Sequence, residues 1–268
     1  MGEVVHLDDA DDPRLVDYVR LADPEARRRQ ERDELFIAEG VTAIERLLTS
    51  GHRVRSVLLT PKAHARLADR LTELDAPVYV APQEVLARTV GFDLHRGAVA
   101  AADRQPLSSV DEVAELSRRL AVLEGLNDPE NVGAIARSAR ALGIDGLVLD
   151  PTCIDPYYRR TIRVSMGEVL HLRVARAASW PADLDRLRAH GFEAWALTPD
   201  PSADDLFANA VPDRVAVLLG AEGGGLSPGA LDAADRQVRI PMAPGADSLN
   251  VGHAAAIAFA RLRSGEVR

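Results

Sequence analysis

Two rhythms of apolar positions alternate along this chain. Short runs rich in branched residues predict strands: Phe36-Ile37, Val54 to Leu59, Val78 to Val80 and Gly97 to Ala102 in the first part, then Leu120 to Leu123, Gly146 to Leu149, Leu172 to Ala175, Phe192 to Leu197, Val215 to Leu219 and Gln237 to Ile240. Each is too short for an ordinary helix. Between them, segments with helical spacing begin at recognisable start signals. Val41 to Leu48 ends before Gly51, Thr60-Pro61 opens a helix running to Leu74, and Pro82 opens another. Asp128-Pro129 caps a helix with Val132, Ile135, Ala136, Ala139 and Leu142 as its buried stripe. Asp155-Pro156 opens a helix bearing Tyr157, Tyr158, Arg159, Arg160 and Arg163, and Pro181 to His190 and Val251 to Leu262 complete the set. Residues 1–13, acidic and turn-rich, are expected to form a loose arm, with a helix from Arg14 to Arg32 after it.

Alternation of this kind predicts an α/β protein. The boundaries expected are a small α/β module over residues 1–105, a linker over 106–118 containing Pro106, Ser108 and Ser109, and a parallel-sheet domain with helices on both faces over 119–268.

The most informative stretch runs from Val215 to Leu262. The strand Val215–Leu219 empties into Gly220-Ala221-Glu222-Gly223-Gly224-Gly225, followed by Ser227-Pro228 as N-cap and first helical residue. The strand ending at Ile240 runs into Pro241-Met242-Ala243-Pro244-Gly245, then Ser248-Leu249-Asn250. Two strand ends thus deliver two bent loops, each placing polar groups (Glu222; Ser248 and Asn250) among apolar neighbours. Parallel sheets build small-molecule crevices in this way, at the carboxyl ends of their strands.

Composition narrows the picture further. Of 268 residues, 47% are hydrophobic and 27% charged, ordinary for a globular protein. No apolar run approaches the eighteen or so residues of a membrane span, and the first residues lack a signal-peptide pattern, so a cytoplasmic protein without a membrane partner is expected. The lone cysteine, Cys153, excludes an intrachain disulfide and a cysteine-based metal cage, and no metal-ligand spacing is present. A net charge of −9 does not favour a nucleic-acid partner. The 32 basic residues, nearly all arginine, do cluster at Arg27-Arg28-Arg29 with Arg32, at Arg53 and Arg55, at Arg118-Arg119, and at Arg159-Arg160 with Arg163. Any one cluster reads more often as a solvated helix face than as a nucleic-acid site.

The segments Gly220-Ala221-Glu222-Gly223-Gly224-Gly225-Leu226-Ser227 and Ile240-Pro241-Met242 through Ser248-Leu249-Asn250-Val251 resemble the second and third motifs of the SpoU (TrmH-type) RNA ribose 2′-O-methyltransferases, of the knotted SPOUT superfamily. Asn131-Val132-Gly133-Ala134-Ile135-Ala136-Arg137 is similar to their first motif. Phe36-Ile37-Ala38-Glu39-Gly40 and His95-Arg96-Gly97 look like the amino-terminal substrate-binding domain of many members, which resembles ribosomal protein L30e, an RNA binder.

The resemblance implies transfer of the methyl group of S-adenosylmethionine to an RNA ribose 2′-hydroxyl, with ribosomal RNA favoured by the amino-terminal module. It also implies a trefoil knot in the carboxyl-terminal domain, which no periodicity shows and which general connection rules disfavour, and a homodimer with the crevice near its interface. DNA is not implied. By the motif match, Leu197, Thr198, Gly220, Ile240, Met242 and Leu249 would hold the cofactor, with glycine at 220 allowing close backbone approach. Asn131, Glu222, Ser248 and Asn250 would orient Arg137 and the ribose. Arg137 lies almost opposite its helix's apolar stripe, five residues turning about 500°; without the motif it reads as a solvated arginine. Arginine donates without accepting, so a hydrogen bond to the hydroxyl or a phosphate suits it better than proton removal. His253, one turn past Asn250, reads as a packed or capping histidine, and Cys153 as a small buried residue. Competing readings are a transfer-RNA 2′-O-methyltransferase, or a catalytically silent RNA-binding protein on the same scaffold. A phosphate-binding role for Gly223-Gly224-Gly225 lacks the lysine of a P-loop.

Overall fold

The computed structural model describes residues 3–26, 28, 34–94 and 96–263. The chain divides into two compact units, one of residues 1–105 with 157–171, the other of 106–156 with 172–268. Among the described residues no helix is long and apolar enough to cross a membrane.

The first unit is a five-stranded sheet built from β1 (Val4–His6), β2 (Leu35–Glu39), β3 (Val54–Leu59), β4 (Val78–Val80) and β5 (Ala98–Asp103), in the order β1-β4-β3-β5-β2. Strands β1, β4 and β3 run parallel; β5 is antiparallel to β3 and β2. Helices Val41–Leu47, Pro61–Leu71 and Gln83–Val90 connect the strands. Thr60 caps the second through its hydroxyl, which accepts from Ala63 N at 3.3 Å.

Two expectations for this unit are corrected. The acidic start is not a loose arm: Val4–His6 adds an edge strand to β4, Val78 N donates to Glu3 O, and Leu7 and Ala10 enter the core while the acids beside them stay at the surface. The run from Arg14 is not one long helix. A 3-10 turn, Pro13–Tyr18, gives way to extended backbone at Val19 and a positive φ at Arg20, because Arg20 N and Leu21 N donate to Thr89 O and Val90 O instead. Arg27, Arg29, Arg32 and His95 lie outside the described residues.

The segment 157–171 follows Asp155-Pro156 in the chain yet packs in the first unit. Its helix is Arg159–Val164, with Tyr158 at the N-cap. Tyr157 stacks on Phe36 with ring centroids 5.2 Å apart. Glu39, from the β2 motif, accepts hydrogen bonds from Arg159 and Arg163, and Arg46 pairs with Glu168 at 2.8 Å. Arg53 and Arg55 are likewise paired, both with Asp103. Arg53, Arg55, Arg159 and Arg163, from two of the basic clusters, are therefore neutralised within the fold.

The second unit holds seven parallel strands: β6 (Arg119–Leu123), β7 (Gly146–Leu149), β8 (Arg173–Arg176), β9 (Glu193–Leu197), β10 (Asp204–Asp205), β11 (Val215–Leu219) and β12 (Arg236–Arg239). Their order is β10-β12-β9-β11-β6-β7-β8. The two-residue strand β10 carries no apolar run and was not expected. Strands β6 and β11 are buried along their whole length, which is why they read as continuous apolar runs rather than alternating ones. The stretch 106–118, read as a linker, belongs to this unit. Its Val110–Glu115 helix has a capping box between Ser109 and Glu112, and buries Val110, Val113 and Ala114 in the core. Helices Pro129–Ala141 and Val251–Arg263 pack against each other. The small-residue face of the last helix is thus core: Ala255, Ala258, Phe259 and Leu262 are buried.

Candidate active site

Because every strand of the second sheet runs the same way, all its carboxyl ends open on one side. The loops after β9, β11 and β12 meet there around a crevice of about 600 Å³, within the range of small-molecule sites. Leu197, Thr198, Gly220, Ile240, Met242 and Leu249 line it, as do Glu222, Ser248 and Asn250. Leu219, the last residue of β11, and Val251, the first of the final helix, also line it. Leu219 lies outside the quoted motifs and Val251 closes the third without having been assigned a role, although a strand end and a helix start were the places to look.

Each loop has a local cause. Gly225 N donates to Ala221 O at 2.9 Å, closing the glycine loop on itself. A Cβ placed on Gly220 would stand 2.2 Å from the carbonyl carbon of Gly225 and 2.3 Å from Leu226 N. Glycine at 220 is thus demanded by the loop's own return. The opposite holds at Gly224, where an added Cβ meets nothing within 4 Å. The second loop, 243–250, is exposed throughout, and Leu249 leaves 42% of its surface uncovered beside the crevice. An apolar side chain held open in a concave site is suited to the face of a flat ligand.

Asn250 ties three distant segments together. Its Nδ2 donates to Asn131 Oδ1 at 3.0 Å and to Glu222 Oε1 at 2.6 Å. Its Oδ1 accepts from Gly252 N at 2.9 Å and His253 N at 3.4 Å, capping the final helix. Both donors and both lone pairs of the amide are thereby used. Asn131, on the Pro129–Ala141 helix, is buried and does not line the crevice; it is joined to the site through Asn250.

Arg137 is exposed on the same helix as Asn131, as its position opposite the apolar stripe predicted. It is not among the residues lining the crevice, and its guanidinium has no hydrogen-bond or ion-pair partner among the described residues. His253 is exposed rather than packed; only its backbone N–H takes part in the cap. Cys153 is buried, accepts from Leu126 N and donates to Leu123 O. Burial, then neighbouring Asp150, pushes its thiol up to about 12, so it is protonated and unreactive at neutral pH. Glu124, at the end of β6, is a further polar residue near the loops that no motif marks. It is 8% exposed and bonded to Ser227.

Comparison with known proteins agrees with this arrangement. Residues 118–260 match the model of the SpoU rRNA methylase family, and residues 37–107 match the RNA 2′-O ribose methyltransferase substrate-binding domain. An uncharacterised tRNA/rRNA methyltransferase of Mycobacterium tuberculosis is 45% identical over 98% of this chain and 93% of its own length. The 23S rRNA (guanosine(2553)-2′-O)-methyltransferase RlmP of Bacillus subtilis is 25% identical over 96% of this chain and 98% of its own. Among solved structures, the SpoU methyltransferase AviRb of Streptomyces viridochromogenes superposes with a TM-score of 0.78 at 26% identity, covering 94% of this chain and 96% of that one. An rRNA methyltransferase of Sinorhizobium meliloti shares the fold over the full length of both chains, with a TM-score of 0.82 at 24% identity. The crevice, the three segments joined at Asn250 and a family match that spans them all lead to one conclusion: this chain belongs to the SpoU RNA methylase family.

Proposed function

We propose that this protein transfers the methyl group of S-adenosylmethionine to a ribose 2′-hydroxyl of RNA, with ribosomal RNA as its substrate class. The observation that carries the reading is the Asn250 amide, which gathers Asn131 and Glu222 at the mouth of an apolar crevice.

The crevice fits the cofactor by its own chemistry. Leu197, Ile240, Met242 and Leu249 offer an apolar slot for the adenine, while Thr198 and the backbone of the 220–225 loop offer polar contacts. When bound, S-adenosylmethionine supplies a methyl group on a positively charged sulfur. The rest falls to the chain's own residues. The ribose must be held in line, and positioning of that kind removes a large part of the barrier. Asn250 has no hydrogen-bonding capacity left, so it orients its neighbours rather than the substrate. Glu222, which lines the crevice, presents its carboxylate toward the ribose, while buried Asn131 fixes the orientation of Asn250. Arg137, exposed on its helix, donates to the 2′-oxygen or to an adjacent phosphate. Guanidinium cannot accept the proton, which leaves to water or a substrate phosphate oxygen.

The finer architecture belongs to the same proposal. Strand β11 enters between β9 and β6, both laid down before it, and the final helix packs on Pro129–Ala141; this supports the trefoil-knot reading. The mixed sheet of residues 1–105 and its substrate-binding match support an L30e-like RNA-binding domain, and the catalytic domain is taken to cover 119–268 with 106–118 packed as part of it. The enzyme is taken to be a cytoplasmic homodimer with its crevices near the interface. The test is calorimetry with S-adenosylmethionine, then radiolabelled methyl transfer to ribosomal RNA, with mapping of the modified ribose. Absence of cofactor binding would overturn the reading.

A further inference from the structure

We infer that Glu124 is a positioning residue that sets the height of the glycine loop over the crevice; for its effect on ligand affinity, this rests on the cofactor reading above. Glu124 is the first residue past β6, and its backbone N donates to Leu219 O at 2.9 Å, level with the start of the loop. Its carboxylate reaches the loop's far end. Oε2 accepts from Ser227 N at 2.9 Å, and Oε1 accepts from Ser227 Oγ at 2.6 Å and from Trp180 Nε1 at 2.7 Å. One residue therefore grips both ends of the 220–226 loop, through its main chain at one end and its side chain at the other. Gly125 completes the seat: its φ is +67° and an added Cβ would lie 3.4 Å from the Ala221 side chain, so the β6 end fits beneath the loop.

The carboxylate is 8% exposed, and it accepts three hydrogen bonds while donating none. A buried acceptor of that kind holds its donors strongly, since each would otherwise lose a charged partner. What it holds is specific. Ser227 is also the N-cap of the Pro228–Ala233 helix, its Oγ accepting from Ala230 N at 3.2 Å. Between the two anchored ends lie Gly223 and Gly224, which line the crevice, and Glu222, which holds Asn250. Glu124 does not line the crevice, so its influence passes entirely through the loop.

The test uses the full chain. Hydrogen exchange is followed in the absence of ligand for Glu124→Ala and Glu124→Gln, the latter keeping an acceptor for Trp180 but turning an amide N–H toward Ser227 N–H. Faster exchange confined to peptides covering residues 220–227 is expected in both. Calorimetry with S-adenosylmethionine should show affinity weakened about tenfold or more in Glu124→Ala, and the KM for cofactor should rise while that for RNA stays unchanged. Ser227→Ala should reproduce the local exchange change, which keeps the test open if Glu124→Ala fails to fold. Unchanged exchange at 220–227, or an increase spread over the whole molecule in Glu124→Gln and Ser227→Ala alike, overturns the inference. Absence of cofactor binding by the parent protein would sink the cofactor reading alone, since the exchange arm decides the role of Glu124 without ligand.

Discussion

Asn250 and Asn131 stand 119 residues apart in the chain, yet the amide nitrogen of one lies 3.0 Å from the amide oxygen of the other. That bond joins the start of the last helix to the helix after β6, and the same nitrogen reaches Glu222. Because Asn250 also caps its own helix, its substitution mixes two effects that can be separated. Asn250→Asp keeps an acceptor for Gly252 N but loses both donors and sets a carboxylate against Glu222. It is expected to abolish methyl transfer as fully as Asn250→Ala does. Asn250→Ala also loses the cap, at about 1 kcal/mol, so thermal melts of the two variants should differ while their activities do not. Transfer persisting in Asn250→Asp would refute the bridging role.

Arg137 is exposed and has no hydrogen-bond or ion-pair partner among the described residues, so its charge is not expected to hold the fold. Arg137→Ala should leave the melting temperature unchanged, with stability within about 0.5 kcal/mol. Its turnover should fall about 100-fold or more, as on removal of a donor aimed at a reacting oxygen. Arg137→Lys should recover little, because a lysine cannot present two parallel N–H groups. Single-turnover methyl transfer with saturating RNA is the measurement.

The glycine loop offers an internal contrast. Gly220→Ala drives a Cβ into the backbone at Gly225 and Leu226, which cannot move aside as a side-chain tip can. A loss of about 1–3 kcal/mol is expected, together with loss of cofactor binding. Gly224→Ala meets nothing within 4 Å and has no positive φ. Its melting temperature should match that of the parent, measured by calorimetric scans of both.

In the first unit, Glu39 is a mostly covered carboxylate that accepts from Arg159 and Arg163. Glu39→Ala leaves those guanidinium groups without their partner and should cost about 2–3 kcal/mol, somewhat less than a fully buried pair. The same contacts predict that a fragment of residues 1–107 is less stable than its unit in the whole chain. It should bind a synthetic peptide of residues 157–171, detectable by fluorescence or calorimetry. A fragment as stable as the intact unit, with no affinity for the peptide, would contradict this.

Burial lowers the pKa of His52, which packs edge-on against Phe36 and Tyr157 and hydrogen-bonds Asp103 O. The unfolded chain then binds more protons than the folded one below the ordinary histidine value of 6.5. The stability His52 contributes is full above that pH and lost as pH falls. The melting temperature should therefore drop between pH 7.5 and pH 5.5, and His52→Gln should flatten the slope in that window.

Much of this protein was readable before any coordinates. The run Val215–Leu219 announced a strand buried on both faces because burial on both faces leaves no polar alternation. Asp128-Pro129 announced a helix because capping is a local matter. Glu222, Ser248 and Asn250 followed from two loops at strand ends, whereas Leu197, Thr198, Ile240, Met242 and Leu249 came from the resemblance to the family motifs. The acidic start misled because three alternating residues are too few to distinguish an edge strand from a tail; the partner that makes it a strand, β4, is remote. The helix read over Arg14 to Arg32 stopped early because Thr89 O and Val90 O outcompeted the helical acceptors, again from far away in sequence. Gly220 was marked for close backbone approach; the neighbour the fold supplies there is its own loop, at Gly225 and Leu226.

Periodicity, caps and turn residues are properties of neighbouring positions, so the sequence alone determined most of the strands and helices and where the site loops bend, while the edge strands β1 and β10 and the short turn at Pro13–Tyr18 depended on remote partners. What each side chain meets is a matter of tertiary structure, because the groups concerned lie scores of residues away. Only the fold decided that residues 157–171 pack in the first unit, that Glu39 and Asp103 neutralise the arginines beside them, and that a single amide at Asn250 gathers three motifs into one site.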